Sequence, residues 1–528
     1  MNMPENDSEN FLLNALSPTE PLGPDNHFRI KDDVAEDLLY HKAPQFGVTN
    51  SKPHMIWIGR KGAGKSALLS EIRLGVRRNA RRAGRRENEH PVDGGDYIVE
   101  VGSYAHFHEM VRNVNRLVQD ELLLDGMIQT DYLRDLWYRI FWDEIIMSLH
   151  GISREPINRE RLAGVQRYVH VDGSLDKPTG AHAREIFEDA KNTVLAFLRK
   201  TRSRLYFLLD TLEEYPVRNI KFMKIQSGLL QGLQMLNDES AHIIPTIFIP
   251  EELEGVLIEG SSNVMKDLST SFKLRWKPVD LIRIVAHRMR VSSRFYDRKL
   301  YADSHNLDFA ARDDLHKFYS MIFPKTLINS QGLHEDPLAY VIRHTQLLPR
   351  HVLAIVNRIL ALHYADHRCF RGVLDETVRA GVTQQQKYIS EQILKLPKFL
   401  YPKLLSQCET ILPDLDPICD FKALQRAEGR FGRLIEEDVG HIWNKLFEIG
   451  ILGRSTSAAG TEDHSVSQDD RYCYGEFHFN IEGAFAMASD GEYCFHPVFS
   501  RAFGMKRRGE DRRVVYPANI DLKNLYAA

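Results

Sequence analysis

Short apolar runs alternate with longer amphipathic stretches through the first half of the chain. The runs are rich in β-branched and aromatic residues and lie at Met55–Ile58, Tyr97–Val101, Leu205–Leu209 and Ile243–Ile249. The stretches between them have helical spacing. The clearest one, around Tyr138–Leu149, carries a broad apolar face made of Trp137, Phe141, Trp142 and Ile145. Apolar strands separated by helices predict a parallel sheet covered by helices on both faces.

The pattern changes twice further along the chain. Between about 278 and 400 strand-like runs almost vanish, and segments such as DLIRIVAHRMR and RHVLAIVNRILALHY read as helices. Beyond about 400, helical EDVGHIWNKLFEIGILG is followed by the polar loop STSAAGTEDHSVSQDD and by β-like YCYGEFHFN. A chain of 528 residues exceeds one hydrophobic core. We therefore expect a polar flexible arm at 1–27, an α/β core at 28–277, a helical region at 278–400 and a mixed region at 401–528.

A glycine-rich turn follows the first predicted strand. Residues 59–66 read GRKGAGKS and fit G-x-x-x-x-G-K-[ST], between strand-like MIWI and helix-like ALLSEIRLG. Such a turn points successive backbone N–H groups at one anion, with Lys65 reaching the β- and γ-phosphates and Ser66 giving a hydroxyl to Mg²⁺. Arg60 and Lys61 are expected to point outwards. The predicted phosphate-binding residues are Gly59, Gly62, Gly64, Lys65, Ser66 and Ala67.

A second acidic candidate ends the third predicted strand, in LYFLLDTLEEYP. Asp210 follows the strand directly, and a carboxylate at the carboxyl edge of a parallel sheet faces the crevice where ligands bind. Asp210 is therefore expected to hold Mg²⁺ together with Ser66. Glu213 or Glu214 could orient or deprotonate an attacking water, or both could merely favour the start of the next helix.

These two motifs resemble those of P-loop ATPases of the AAA+ and STAND type, especially bacterial relatives of initiator (origin-recognition-like) ATPases. The resemblance implies an α/β P-loop core, an α-helical lid and a C-terminal winged-helix-like domain. LRWKPVDLIRIVAHRM is similar to the segment that leads into such a lid, and TQLLPRHVLAIVNRI to the lid helix that carries a sensor arginine. The resemblance thus implies that Arg350 touches the γ-phosphate and acts in catalysis with Glu213 or Glu214.

Two features depart from that pattern. The strand HIIPTIFIPEEL should end in a polar sensor residue, but only Thr246 and the Pro250–Glu251 exit are candidates. No arginine finger stands out, although Lys273, Arg275 and Arg288 are possible. Hydrolysis is therefore expected to be slow or regulated.

An arginine-rich segment, VRRNARRAGRR, continues the helix predicted after the glycine-rich turn. Its arginines fall on one helical face: Arg77, Arg78, Arg81, Arg82, Arg85 and Arg86. Such a stripe could neutralise nucleic-acid phosphates, dock an acidic partner surface, or lie free in water. The sequence leaves these three readings open.

Composition narrows the remaining choices. The formal net charge is −3, with 43% hydrophobic and 27% charged residues, so the chain has no global charge attraction to nucleic acid or membrane. The five cysteines show no CxxC pairing, and no apolar stretch is long enough to span a bilayer. The N-terminus lacks the features of a signal peptide, so a cytoplasmic protein without a membrane partner is expected.

Together these patterns predict a P-loop switch protein that binds ATP and Mg²⁺ and hydrolyses the nucleotide. The resemblance implies that nucleotide state controls self-association or a separate effector protein, in a role such as bacterial antiviral defence. Two alternatives stay open, a DNA-associated initiator or loader and a nucleotide-binding scaffold without turnover.

Overall fold

The computed structural model describes most of the chain in separate ranges. They are residues 15–25, 39, 55–82, 96–101, 112, 128–150, 162–163, 165–166, 169, 181–210, 220–254, 271–434, 442–456, 471–481, 487–507, 511–518, 520, 522 and 525–526. The chain divides into two compact units. The smaller unit comprises residues 44–60 and 65–274, and the larger one comprises 1–43, 61–64 and 275–528.

The smaller unit is built on a five-stranded sheet. Its strands are β1 (Ile56–Gly59), β2 (Tyr97–Val101), β3 (Leu205–Leu209), β4 (Ile243–Pro250) and β5 (Phe272–Lys273). They are hydrogen-bonded in the order β2-β3-β4-β1-β5, and every pair is parallel. The predicted strands and the predicted parallel sheet are therefore confirmed, whereas β5, with only two residues, is too short to leave a pattern.

Within the described residues, four helices accompany this sheet: α1 (Lys65–Arg82), α2 (Ile128–His150), α3 (Ala181–Thr201) and α4 (Ile220–Glu239). The predicted apolar face of α2 is buried, with Trp137, Phe141 and Trp142 all at 0% exposure. Helices α2 and α4 pack closely because α4 presents glycine: a Cβ on Gly228 would lie 2.6 Å from the Leu133 Cβ. The aromatic pattern thus marks the core of this unit.

The first part of the larger unit is largely helical, as the pattern predicts. Its helices are α5 (Pro278–Tyr296), α6 (Arg298–Ser304), α7 (Arg312–Ser320), α8 (Pro337–Ile342), α9 (Pro349–His367) and α10 (Asp375–Leu400). Proline begins α5, α8 and α9, a position where its fixed φ fits and its missing N–H costs nothing. A two-stranded hairpin, β6 (Leu327–Ile328) with β7 (His334–Glu335), interrupts the helices.

A mixed sheet forms the C-terminal part of the larger unit. Its strands are β8 (Ile418–Asp420), β9 (Leu452–Ser455), β10 (Tyr472–Glu476), β11 (Glu492–Phe495) and β12 (Val514–Pro517). Its helices are α11 (Pro402–Ile411), α12 (Phe421–Leu434), α13 (Ile442–Ile449) and α14 (Pro497–Ala502). The strand order is β12-β10-β9-β11-β8, with β10 and β12 parallel and the other pairs antiparallel. We refer to this part as the C-terminal sheet region.

The described N-terminal residues, 15–25, have defined partners on the helices of the larger unit. The Asn357 side chain accepts a hydrogen bond from the Leu22 N–H at 2.7 Å and donates one to the Gly23 carbonyl at 2.8 Å. Arg288, which is buried, donates to the Leu22 carbonyl at 3.2 Å. The polar composition from which a flexible arm is expected gives no sign of these contacts.

Candidate functional site

The glycine-rich turn joins β1 to α1 through five residues, 60–64. Gly62 and Gly64 have φ values of 92° and 95°, which only glycine adopts without strain. Lys65 is 4% exposed, and its ammonium group donates to the carbonyls of Gly59 at 2.9 Å and Arg60 at 3.3 Å. The two glycines therefore determine the backbone conformation of the turn. Lys65 connects the end of the turn to the carbonyls at its start.

The two residues predicted to hold the metal lie together. The Ser66 hydroxyl donates to the Asp210 carboxylate at 2.9 Å, across 144 residues of sequence. Ser66 lies in the first turn of α1, beside Ala67, and Asp210 follows β3 directly. Since all strands are parallel, the turn after β1 and Asp210 after β3 meet at the same carboxyl edge of the sheet, with β4 between their strands.

Two acidic residues that follow β4, Glu251 and Glu252, also reach this edge. Gly59 pairs with Pro250, so the residues after Pro250 leave the sheet beside the turn. Glu251 forms an ion pair with Arg60 at 3.5 Å, and both side chains are about 5% exposed. Arg60 is thus buried, and the expectation that it points outwards is wrong. The pattern that predicts Asp210, a carboxylate directly after an apolar strand, also occurs at Glu251 and Glu252.

The next acid, Glu252, lies in the same electrostatic environment. Burial raises the pKa of its carboxyl above the ordinary value, and the nearby charges of Arg60 and Lys65 partly oppose that shift. Two cations and two carboxylates therefore share this strand end. An incoming anion would enter a field in which the lysine charge is already partly balanced.

Thr246, one of the two candidates for a polar sensor, lies inside β4, before the carboxyl edge of the sheet. It pairs with Leu208, two residues before Asp210, or about 6–7 Å along the strand. Its hydroxyl is buried and has no hydrogen-bond partner among the residues that the structure describes. Pro250, and not Thr246, is level with the end of β1, and Glu251 follows it directly.

Arg350 contacts the middle of the turn within the larger unit. A Cβ placed on Gly62 would lie 3.0 Å from the Arg350 Cβ, so the arginine stem packs directly on the glycine. The Arg350 Nε is buried and, within the described part of the chain, has no hydrogen-bond partner. Trp276 holds the neighbouring residue, because its indole N–H donates to the Ala63 carbonyl at 2.7 Å.

Several predicted residues lie wholly or partly outside the described part of the chain. Glu213 and Glu214 lie outside the described residues, as do Arg85 and Arg86. Helix α1 extends to Arg82, but the side chains of the remaining arginines of the stripe, Arg77, Arg78, Arg81 and Arg82, are also outside the description.

The three basic residues considered as arginine-finger candidates all have partners of their own. Lys273 pairs with Glu254 at 2.9 Å, and Arg275 donates to the His478 carbonyl at 3.0 Å. Burial lowers the pKa of the Arg288 guanidinium to about 10. Each of these side chains is therefore committed to a contact within its own unit.

Comparisons with known proteins do not assign the chain to a family. No protein-family model matches it, and no curated protein matches it. In the described parts of the chain, no helix has both the length and the apolar character needed to cross a bilayer. The same residues contain no group of three His, Cys, Asp or Glu side chains placed to hold a metal ion.

Proposed function

We propose that the protein binds ATP with Mg²⁺ at the turn formed by residues 59–66 and uses the bound nucleotide as a switch. The observation that carries this proposal is the hydrogen bond of 2.9 Å between Ser66 and Asp210. A hydroxyl and a carboxylate, brought from distant parts of the sequence to the edge of a parallel sheet, are the two protein ligands that a P-loop offers Mg²⁺.

The residues present fit such a ligand. Mg²⁺ keeps several waters and is usually bound by one or two carboxylates together with the phosphates of its substrate, so a full cage of protein ligands is not required. Gly62 and Gly64 provide the left-handed backbone that turns N–H groups towards one anion. When bound, Mg²⁺ neutralises phosphate charge, while Lys65 contributes a fixed cation and Asp210 holds the Ser66 hydroxyl in place.

Arg350 is the residue that we propose to read the triphosphate. Its stem rests on Gly62, and its Nε is a buried donor for which the described residues offer no acceptor. A guanidinium in that position would gain its partner from a bound phosphate. In this proposal α5–α10 act as the lid, and the C-terminal sheet region, in the role of a winged-helix-like domain, passes the nucleotide state to a second copy or to a separate effector.

We also propose that the protein hydrolyses the bound ATP. Glu213 or Glu214, three and four residues after Asp210, would orient or deprotonate the attacking water. The lack of an evident polar sensor and arginine finger in the sequence supports slow, regulated turnover, and the resemblance to STAND and initiator-like ATPases supports a setting such as bacterial antiviral defence. The four charged groups at the turn and the end of β4 are compatible with such regulation, because phosphate has to compete with the existing ion pairs.

Titration calorimetry with ATP and Mg²⁺ tests the binding step. Replacing Lys65 by Ala should weaken ATP binding about 10- to 100-fold, because it removes a charge-assisted hydrogen bond worth about 1.5–3 kcal/mol. Lys61→Ala, which removes the same charge from the same turn, is the matched control and should weaken binding much less. Wild-type protein that releases no heat with ATP, or two variants that behave alike, would refute the proposal.

Phosphate release measures the second step. The wild-type chain should turn over ATP slowly, and either Glu213→Gln or Glu214→Gln should reduce that rate about 100- to 10,000-fold, the usual contribution of a general base. Nucleotide binding without any turnover would instead identify a nucleotide-binding scaffold.

A further inference from the structure

The residues that precede Arg350 form a buried and strained turn. Thr345, Gln346 and Leu347 are all 3% exposed or less, and Leu347 has a φ of 52°. Left-handed backbone is unusual for leucine and persists only where the surroundings hold it. The Leu347 N–H donates to the Thr345 hydroxyl at 3.2 Å, so part of that support is local. We call residues 345–348 the sensor turn.

One support comes from the end of helix α13. The Gln346 side-chain amide donates to the carbonyls of Ile449 at 3.0 Å and Gly450 at 3.3 Å. Gly450 follows the helix with a φ of 80°, the usual left-handed residue that ends a helix. Carbonyl groups at the end of a helix have no partner inside it, and Gln346 provides a donor to two carbonyls at this helix end.

A second support comes from the residue between β11 and α14. The Nδ1 atom of His496 accepts the Val498 N–H at 3.3 Å, so a neutral imidazole must carry its proton on Nε2. That Nε2 lies 3.0 Å from the Thr345 carbonyl and donates to it. The ring is fully buried and lies edge-on against Phe477 and Phe479. Its tautomer and its orientation are therefore both fixed by the C-terminal sheet region.

The sensor turn leads into Arg350 with little freedom. Pro349, whose φ is restricted, is the first residue of α9, and Arg350 is the second. A shift of the turn therefore moves the Arg350 stem against Gly62, where a Cβ would already be only 3.0 Å away. Displacements of about 1 Å are enough to impair a positioned functional group.

We propose that Gln346 and His496 are positioning residues that couple the C-terminal sheet region to Arg350. Through them, a change at the end of α13 or the start of α14 alters how well Arg350 distinguishes ATP from ADP. This inference rests on the proposed function, because it assumes that Arg350 senses the bound nucleotide. It implies that a partner bound to the C-terminal sheet region changes nucleotide preference without touching the glycine-rich turn.

The test compares ATP and ADP affinities of full-length variants by calorimetry. Gln346→Met keeps the volume of the side chain and removes its donor, and His496→Phe keeps a buried ring and removes both nitrogens. Each should reduce the preference for ATP over ADP about tenfold, within the usual range of coupling between sites, while ADP affinity stays within about twofold. Either variant alone is sufficient if the other fails to fold.

Tyr526→Phe provides the matched control. Its hydroxyl donates to Asp336 at 3.0 Å, so the variant loses another hydrogen bond between the C-terminal residues and the helical region, away from the sensor turn. It should keep the wild-type nucleotide preference. Combining Gln346→Met with Arg350→Ala should add nothing to the effect of Arg350→Ala, because the glutamine acts through the arginine.

The outcomes separate the two proposals. Wild-type protein that does not bind ATP refutes the proposed function. Wild-type protein that prefers ATP, together with folded variants of Gln346 and His496 that prefer it equally, refutes the positioning role and leaves the ATP site standing. An additional loss in the Arg350→Ala background refutes coupling through Arg350.

Discussion

The two five-stranded sheets use their polar residues in different ways. At the carboxyl edge of the parallel sheet, Lys65, Asp210 and Glu251 lie where strands end and the chain leaves the sheet. Around the C-terminal sheet, Glu335 is enclosed at 3% exposure and receives donors from three side chains. Charge alone therefore does not mark a functional site. Both groups contain buried charges, but those at the strand ends lie beside a glycine-rich turn, where we propose that they meet a ligand, whereas those around Glu335 are paired with one another and join separate elements.

The enclosed group around Glu335 is a connected network. Arg343 donates to its carboxylate through Nε at 2.8 Å and through Nη2 at 3.1 Å, while Asn329 and Tyr516 donate as well. The Arg343 guanidinium also lies over the Tyr340 ring, 4.7 Å from its centre. The network therefore joins the β6–β7 hairpin, helix α8 and strand β12 around one fully paired carboxylate.

The largest expected effect tests this structural role. Replacing Glu335 by Ala leaves Arg343 buried without its counter-charge, which costs about 3–5 kcal/mol in comparable buried pairs. Urea denaturation of the full chain should show that loss in the transition of the larger unit. Asp414→Ala is the control, because its ion pair with Arg430 has both side chains nearly half exposed. That variant should lose less than about 1 kcal/mol. Equal losses in the two variants would contradict the distinction between enclosed and exposed charge.

A smaller effect should appear at the glycine-rich turn. Gly64→Ala forces a side chain onto a backbone with a φ of 95°, at a cost of about 1–2 kcal/mol, and should also weaken ATP binding. Gly75→Ala is the matched control, since this glycine lies inside α1 and the added Cβ would have no atom within 4 Å beyond the nearby backbone of its own helix. It should be neutral or stabilise by up to about 1 kcal/mol. Both changes are measured by urea denaturation and calorimetry. Unchanged stability and ATP affinity in Gly64→Ala would show that the turn does not require this glycine conformation.

The parallel sheet and the candidate site can be predicted from the sequence to a different extent than the contacts of the larger unit. The turn at 59–66 is contiguous, and Asp210 directly follows an apolar strand, so local pattern predicts both the sheet and the candidate site. The supports of the larger unit are not contiguous. Gln346 meets Ile449 across 103 residues and Glu335 meets Tyr516 across 181. Nothing in the neighbouring residues indicates such partners, because those contacts depend on how distant elements pack and not on local periodicity.

Glu251 and Glu252 lie between these two cases. They follow an apolar strand as Asp210 does, and in that respect they were predictable. Their interaction with Arg60 was not, because the side chain of a residue inside a turn can point outwards or inwards, and only packing decides. A residue that directly follows one apolar strand can thus be predicted from the sequence, whereas a contact between residues from two strand ends cannot.

The smallest expected effect concerns the pH dependence of stability. Burial raises the pKa of Glu252 in the folded chain, so the folded state holds this proton to a higher pH than the unfolded state does. Stability should therefore fall as the pH rises from the ordinary pKa of a glutamic acid to the raised one, and the loss should persist above it. Glu252→Gln removes that loss, so the variant should exceed the wild type in stability near pH 8 and match it near pH 4. Since Arg60 and Lys65 offset part of the cost, we expect a smaller difference than for Gly64→Ala. Urea denaturation at the two pH values measures the difference from the wild-type pH dependence. A Glu252→Gln variant with that same dependence would show that Glu252 is ionised at no cost beside the two cations.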